Sequence, residues 1–147
     1  MVKNYSFKTR SFLVIILSIL FLDLISKFLI QTFKPNLKIF PFFSIIFVKN
    51  FGAGFGILQF QRTFLTIIAI IVLSVIMYYY KNLKEKQTII ATALITAGTL
   101  GNTIDRIFHG FVIDFLDFFI ATHHWPTFNI ADCALVIGII LILFNKK

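Results

Sequence analysis

Residues Ser11 to Ile30 read SFLVIILSILFLDLISKFLI, and this run decides the fold. A bilayer core about 30 Å thick is crossed by roughly 20 apolar residues wound as a helix, and the stretch has that length and character. Its two charges, Asp23 and Lys27, lie four positions apart. They therefore share a helix face, with the acid N-terminal to the base as a favourable pair requires. Working outward, Thr63 to Tyr80 is a second apolar run, and Thr88 to about Ile104 a weaker third, rich in Thr, Gly and Ala and polar at its end. Ile130 to Phe144 is short by itself. It reaches spanning length if the helix begins near Trp125 and Pro126, since proline is tolerated in a first turn and an aromatic suits the interface. The expected fold is an all-α membrane protein forming one domain over residues 1–147. Four transmembrane helices are expected at about 11–30, 63–80, 88–104 and 127–144, with a small extracytoplasmic loop region that contains β-structure.

Composition excludes the soluble classes. The chain is 59% hydrophobic and 14% charged, with 20 phenylalanines, against about 45–50% apolar residues in soluble domains. A net charge of +8 invites nucleic acid, but a nucleic-acid binder gathers its basic residues on one polar surface. Here the lysines punctuate apolar runs. The single cysteine, Cys133, excludes an internal disulfide and a multi-cysteine metal site. The basic segment Met1 to Arg10 and the run behind it resemble a signal peptide, yet the run is too long and lacks a small-residue cleavage site. It is expected to stay attached as a span.

Orientation follows from the short connections. Lys3, Lys8, Arg10, Lys81, Lys84, Lys86, Lys146 and Lys147 fall on one side, and Lys34, Lys38, Lys49, Arg62 and Arg106 are spread over the longer loops of the other. The positive-inside rule then puts both termini and the Lys81 to Gln87 turn in the cytoplasm. Of the acids, only Glu85 is cytoplasmic. Asp23, Asp105, Asp114, Asp117 and Asp132 gather toward the outer face, and carboxylates near hydrocarbon mark a functional site by default. In the outer loop Phe33 to Arg62, the stretch Ile39 to Val48 suits a few short strands. The loop Arg106 to Phe128, with aromatics between aspartates and histidines, suits a surface-lying or re-entrant segment.

Each motif has a structural and a chemical reading. Asp23 with Lys27 is a neutralised packing pair or a substrate-orienting one. Asn50 to Gly56, with glycines at 52, 54 and 56, is a tight turn docking on the helices or a substrate contact; no Lys-Ser/Thr follows to make it a phosphate loop. Near the outer end of the third helix lie Gly98, Asn102, Asp105 and Arg106. Small residues at 97, 98 and 101 allow close packing, and Asp105 with Arg106 reads first as a structural ion pair. Asp114 and Asp132 stand among apolar neighbours with no lysine or arginine within four positions. Two such carboxyls that meet can share one proton and supply a base and an acid from one residue type. Capping accounts for Asp132 equally well, with Asn129 as N-cap and Asp132 at N3, but does not account for Asp114. A metal site is disfavoured: His123 and His124 are adjacent, His109 is isolated and there is no HExxH. Cys133 reads as a small packing residue facing away from Asp132.

Taken in order, Asp23 and Lys27, Asn50 to Gly56, Gly98 with Gly-Asn-x-Ile-Asp-Arg, Val-Ile-Asp-Phe and Phe-Asn-Ile-Ala-Asp resemble the bacterial lipoprotein signal peptidase family, signal peptidase II, over essentially the whole chain. The resemblance implies a multi-pass aspartic endopeptidase of the bacterial cytoplasmic (inner) membrane, with its active site toward the extracytoplasmic face. It would remove signal peptides from diacylglyceryl-modified prolipoproteins, cleaving before the lipidated cysteine. Asp114 and Asp132 fall on the catalytic dyad. Asp23, Lys27, Asn50, Gly52, Gly98, Asn102, Asp105, Arg106, Asn129 and Ala131 match positions that support or line the site. Gly54, where the family commonly has alanine, and Cys133, where serine is usual, depart from the pattern. No metal and no cofactor are implied. The expected partners are prolipoproteins and membrane lipids, not nucleic acid, and the chain is expected to be a monomer. The competing reading is a small outward-facing cation or proton transporter, which requires acids spread through the membrane thickness.

Overall fold

The computed structural model describes residues 2–53 and 57–145, with side chains from residue 8 onward. Gly54, Gly56, Lys146, Lys147 and the side chain of Lys3, which entered the readings of the glycine segment and of orientation, lie outside the described residues. The order is α1 (Val2–Phe33), β1 (Asn36–Phe40), β2 (Phe43–Asn50), α2 (Arg62–Tyr79), a single 3₁₀ turn (Tyr80–Asn82), α3 (Lys86–Phe108), β3 (Val112–Ile120), β4 (His123–His124) and α4 (Ile130–Leu143). Among the described residues, two helical segments, Lys8–Phe33 and Arg62–Asn82, are long and apolar enough to cross a bilayer, and Ile130–Leu143 is a shorter apolar helix.

Each of the four expected spans contains a helix, but the fourth begins at Ile130 behind an Asn129 cap and not near Trp125 and Pro126, and the four are of different kinds. Helix α2 is apolar on every side and buries only Ala69; residues such as Phe64, Ile67 and Ile71 stand about half exposed, which water would disfavour and lipid would not. Helix α3 is the opposite case. Of its small and hydroxylated residues from Ala91 to Gly101, all but Thr99 are buried because α1, α2 and α4 all pack on it. Thr92, Thr96 and Thr103 return their hydroxyls to the carbonyls four residues back, at 2.8 Å or less, so polar side chains inside the bundle are satisfied within their own helix. A Cβ at Gly98 would collide with the carbonyl of Ala131, and one at Gly138 would lie 2.7 Å from that of Ala91. Bare backbone is what lets α3 and α4 touch at these two points.

The outer loops form one antiparallel sheet of order β1-β2-β3-β4. The segment Arg106 to Phe128, expected as surface-lying or re-entrant with no secondary structure assigned, contributes the strand β3, paired with β2 from Asn50↔Val112 to Phe43↔Phe118. Strand β3 alternates, as strands do. Ile113 and Phe115 turn toward Ile30 at the end of α1 and form a small core with it, while Asp114 turns the other way. The second core, Phe12, Ile16, Ile89, Ala93 and Ala97, lies at the opposite end of α1. Between the two cores, α1, α3, α4 and the start of β3 leave room for polar side chains.

Candidate active site

Four carboxylates fill that room, one from each surrounding element: Asp23 on α1, Asp105 on α3, Asp114 on β3 and Asp132 on α4. Asp117 does not join them. Three residues beyond Asp114 on an alternating strand, it faces the other side of the sheet and pairs with His124 at 2.9 Å.

Lys27 holds the inner half together. Its side chain is 2% exposed, and its ammonium lies 2.8 Å from Asp23 Oδ2 and 3.1 Å from Asp105 Oδ2 while donating to Asn102 Oδ1 at 3.0 Å. An ammonium has three donors and no acceptor, so three oxygens satisfy it and a buried charge is sustained. Asp23 uses its other oxygen to accept from the backbone N–H of Ala131 at 2.9 Å, one of the amides that the first turn of α4 leaves free. Asp105 accepts from the Ile113 N–H at 3.0 Å and has His109 Nδ1 at 3.4 Å. The expected Asp105–Arg106 ion pair is therefore corrected. Consecutive helical residues diverge by about 100°, so Arg106 turns away from Lys27 and donates to the carbonyls of Gly52, at 3.0 Å, and Asn102, at 3.4 Å. It ties the glycine segment to α3.

Two asparagines connect this base to the outer pair. Lys27 cannot accept, so Asn102 must present Oδ1 to it, and its Nδ2 then donates to Asp132 Oδ1 at 2.8 Å. Asn129 and Asp132 form a full capping box at the start of α4: Asn129 Oδ1 accepts from the Asp132 N–H at 2.9 Å, and Asp132 Oδ2 accepts from the Asn129 N–H at 3.2 Å. The side-chain amide of Asn129 also donates to Asp114 Oδ1 at 2.7 Å, so one completely buried residue reaches both carboxylates, Asp114 through its side chain and Asp132 through its backbone N–H. Asp114 receives a second bond from Asn50 Nδ2 at 2.9 Å, and Asn50 Oδ1 accepts from the Gly52 N–H at 2.9 Å. Burial, and after it the neighbouring charge of Asp132, push the Asp114 carboxyl up to about 7; the bonds from Asn50 and Asn129 oppose the shift without cancelling it.

All of the predicted site residues belong to this assembly, directly or through backbone. Gly98 and Ala131 meet where α3 crosses α4, and a Cβ at Gly52 would run into the Ile57 carbonyl. Sequence reasoning missed the part of Gly101. The space where its Cβ would stand is occupied by Asp23 Oδ2; the run of small residues at 97, 98 and 101 signalled close packing, but not that a carboxylate would be the neighbour. It also missed Ile113, which serves through backbone alone, its N–H on Asp105 and its carbonyl accepting from Asn129 at 3.2 Å. Among the described residues no three His, Cys, Asp or Glu side chains gather as a metal would require.

Asp132, Asn102, Asn50 and Arg106 open onto a mainly apolar cavity of about 680 Å³, walled by Val112, Trp125, Pro126, Leu135 and Val136 among others. Cys133 lines it too, so the cavity wraps far enough around α4 to meet the face that Cys133 presents, contrary to the expectation that this residue only packs.

Comparison with known proteins gives a consistent picture. The chain matches the family described as signal peptidase (SPase) II over residues 15–146. It is 41% identical over 133 residues to the lipoprotein signal peptidase of Alteromonas mediterranea, covering 84% of this chain and 73% of that one. It is also 41% identical over 132 residues to the lipoprotein signal peptidase of Thermodesulfovibrio yellowstonii, covering 87% and 88%. A bacterial membrane enzyme solved by the in meso method at 2.3 Å superposes with a TM-score of 0.81 at 36% identity, over 93% of this chain and 92% of that one.

Proposed function

The chain belongs to the signal peptidase II family and removes signal peptides from lipoproteins, and we propose that it does so as an aspartic endopeptidase with Asp114 and Asp132 as the catalytic pair. The observation that carries this is Asn129, whose side-chain amide donates to the Asp114 carboxylate while its backbone N–H donates to the Asp132 carboxylate. It ties Asp114 to Asp132, which lines a largely apolar cavity. One carboxylate takes a proton from water as the oxygen attacks the scissile carbonyl, and the other, protonated, gives its proton to the leaving nitrogen as the C–N bond breaks. A carboxyl that titrates near 7 suits a pair sharing one proton at neutral pH. Asp23, Lys27, Asp105, Asn102, Asn129, Gly98 and Ala131 set the geometry; Asn50, Gly52 and Arg106 place the outer segment against it.

The protein lies in the bacterial inner membrane. In the reading proposed here it works as a monomeric single domain, α1 to α4 each span, both termini are cytoplasmic, and the sheet rests on the outer surface. The substrate is a prolipoprotein whose cysteine carries a diacylglyceryl group, and it enters sideways with its acyl chains still in lipid. The transporter alternative is not favoured, since Asp23, Asp105, Asp114 and Asp132 meet at one level instead of forming a path.

The test is Asp114→Asn and Asp132→Asn, each expected to lower turnover of a lipidated substrate by at least about 10²-fold, with the protein still membrane-inserted and folded. Turnover retained in either variant removes that residue from the pair.

A further inference from the structure

The face of the sheet turned away from Asp114 holds a second hollow, of about 560 Å³. Side chains alternate along a strand, so Asp117 and Phe119 on β3 and Ser44 and Ile46 on β2 line it from the sheet, while Lys34 at the end of α1 and His124 on β4 close its sides. None of these residues takes part in the assembly around Asp114 and Asp132.

The hollow is built and charged. Asp117 is 3% exposed and Ser44 8%, and the two are partners across β2 and β3. Both oxygens of Asp117 lie within 3.0 Å of His124 Nδ1. The His124 ring stacks on Phe119 with centroids 4.9 Å apart, and Lys38 Nζ stands over the same Phe119 ring at 5.3 Å. Lys34 follows the last residue of α1 with a left-handed φ of 42°, its backbone N–H donating to the Ile30 carbonyl at 2.8 Å. Lys34 in the lining and Lys38 over the Phe119 ring at its edge thus bring two positive charges to a hollow with one carboxylate, Asp117, whose oxygens are already engaged by a histidine, which leaves a surplus of positive charge. Its depth is set as well: Lys34 stands where the apolar segment Lys8–Phe33 ends, beside a Phe33 that is 74% exposed.

We infer that this hollow binds the phosphate-bearing headgroup of an anionic glycerophospholipid. Lys34 and Lys38 meet the phosphate, Ser44 and the Asp117–His124 pair meet headgroup hydroxyls, and the acyl chains lie along α1 beside Phe33. A basic cluster at the edge of a span attracts anionic lipid, and here it borders a cavity with polar groups to read the headgroup. The inference rests on α1 crossing the bilayer and not on the chemistry of the aspartates, so either can fail alone.

The purified protein in detergent, stripped of lipid, is titrated with dioleoyl phosphatidylglycerol, with dioleoyl phosphatidylcholine and with glycerol 3-phosphate, and bound species are counted by native mass spectrometry. Phosphatidylglycerol should bind about tenfold more tightly than phosphatidylcholine, a preference set by lysine contacts. That preference should vanish in Lys34→Gln/Lys38→Gln and persist in Lys49→Gln, which alters a lysine outside the hollow. An unchanged preference in the double variant, or no preference in the wild type, overturns the site. Glycerol 3-phosphate binding as tightly as the lipid would assign the hollow to a free phosphate ester and overturn the lipid.

Discussion

Lys27 is enclosed by Asp23, Asp105 and Asn102, and its removal would strand two carboxylates that are 1% exposed or less. Breaking a buried pair from one side costs about 3–5 kcal/mol, so Lys27→Met is expected to lower the melting temperature in detergent sharply. Adding Asp23→Asn should recover part of the loss; no recovery would mean that the two charges are not coupled. Asp114 gives a prediction of a different kind. Its folded-state pKa of about 7 lies above the ordinary 3.8, so the folded protein holds this proton more firmly than the unfolded chain does. The stability it contributes is fully present below about 3.8 and is lost as pH rises through about 7. In the mechanism proposed above activity follows the same proton: once the pair has lost it, no acid remains for the leaving nitrogen, so kcat/KM should fall above about pH 7. A profile flat to about pH 9, two units above that pKa, would exclude the shared proton. In Asp114→Asn the matching part of the pH dependence of melting should disappear.

At the scale of elements, the test case is the bond from Arg106 to the Gly52 carbonyl, which joins α3 to the segment that delivers Asn50 to Asp114. Asp105 is held by Lys27 and not by Arg106, and Arg106 makes its hydrogen bonds to backbone carbonyls. Arg106→Ala is therefore expected to leave melting nearly unchanged and to reduce kcat/KM about tenfold, equivalent to about 1.4 kcal/mol of transition-state stabilisation. A large fall in melting temperature with normal turnover would restore the structural reading. The helices were legible in sequence because a span declares itself by length and hydropathy, and the Asn129–Asp132 cap because its spacing is local. The residues that gather around Asp114 and Asp132 were legible as an ordered set. Strand β3 was not: Val112–Ile120 carries aspartates among aromatics, which reads equally as an interfacial segment, and only the free edge of β2, more than sixty residues earlier, makes it a strand. The alternation of that strand is what sends Asp114 and Asp117 to opposite faces. The partner of Asp105 was misjudged because a neighbour in sequence, Arg106, was weighed above Lys27 on another helix.

Across the whole molecule, the two aspartates sit where the helices give way to the sheet, and the cavity beside them is walled by apolar residues of α4 and by Trp125 and Pro126. Such a wall offers a peptide few hydrogen bonds by which to register its scissile bond. An acyl chain, by contrast, is held in lipid by about 0.8 kcal/mol per buried methylene, and two chains anchor far more firmly than one. The diacylglyceryl group would therefore hold the substrate cysteine at the interface, at the depth of Asp114 and Asp132, and proximity of this kind supplies a large part of a rate enhancement. The expected result is that matched prolipoproteins with and without the lipid differ by at least about tenfold in kcat/KM, since chain burial far exceeds the roughly 1.4 kcal/mol that a tenfold change requires. Cleavage should also be indifferent to EDTA, because the proposed mechanism assigns the protons to carboxylates alone. Equal cleavage of the unlipidated form would refute positioning by lipid. Activity lost to EDTA and restored by added metal would bring His109, His123 and His124 back into the reaction.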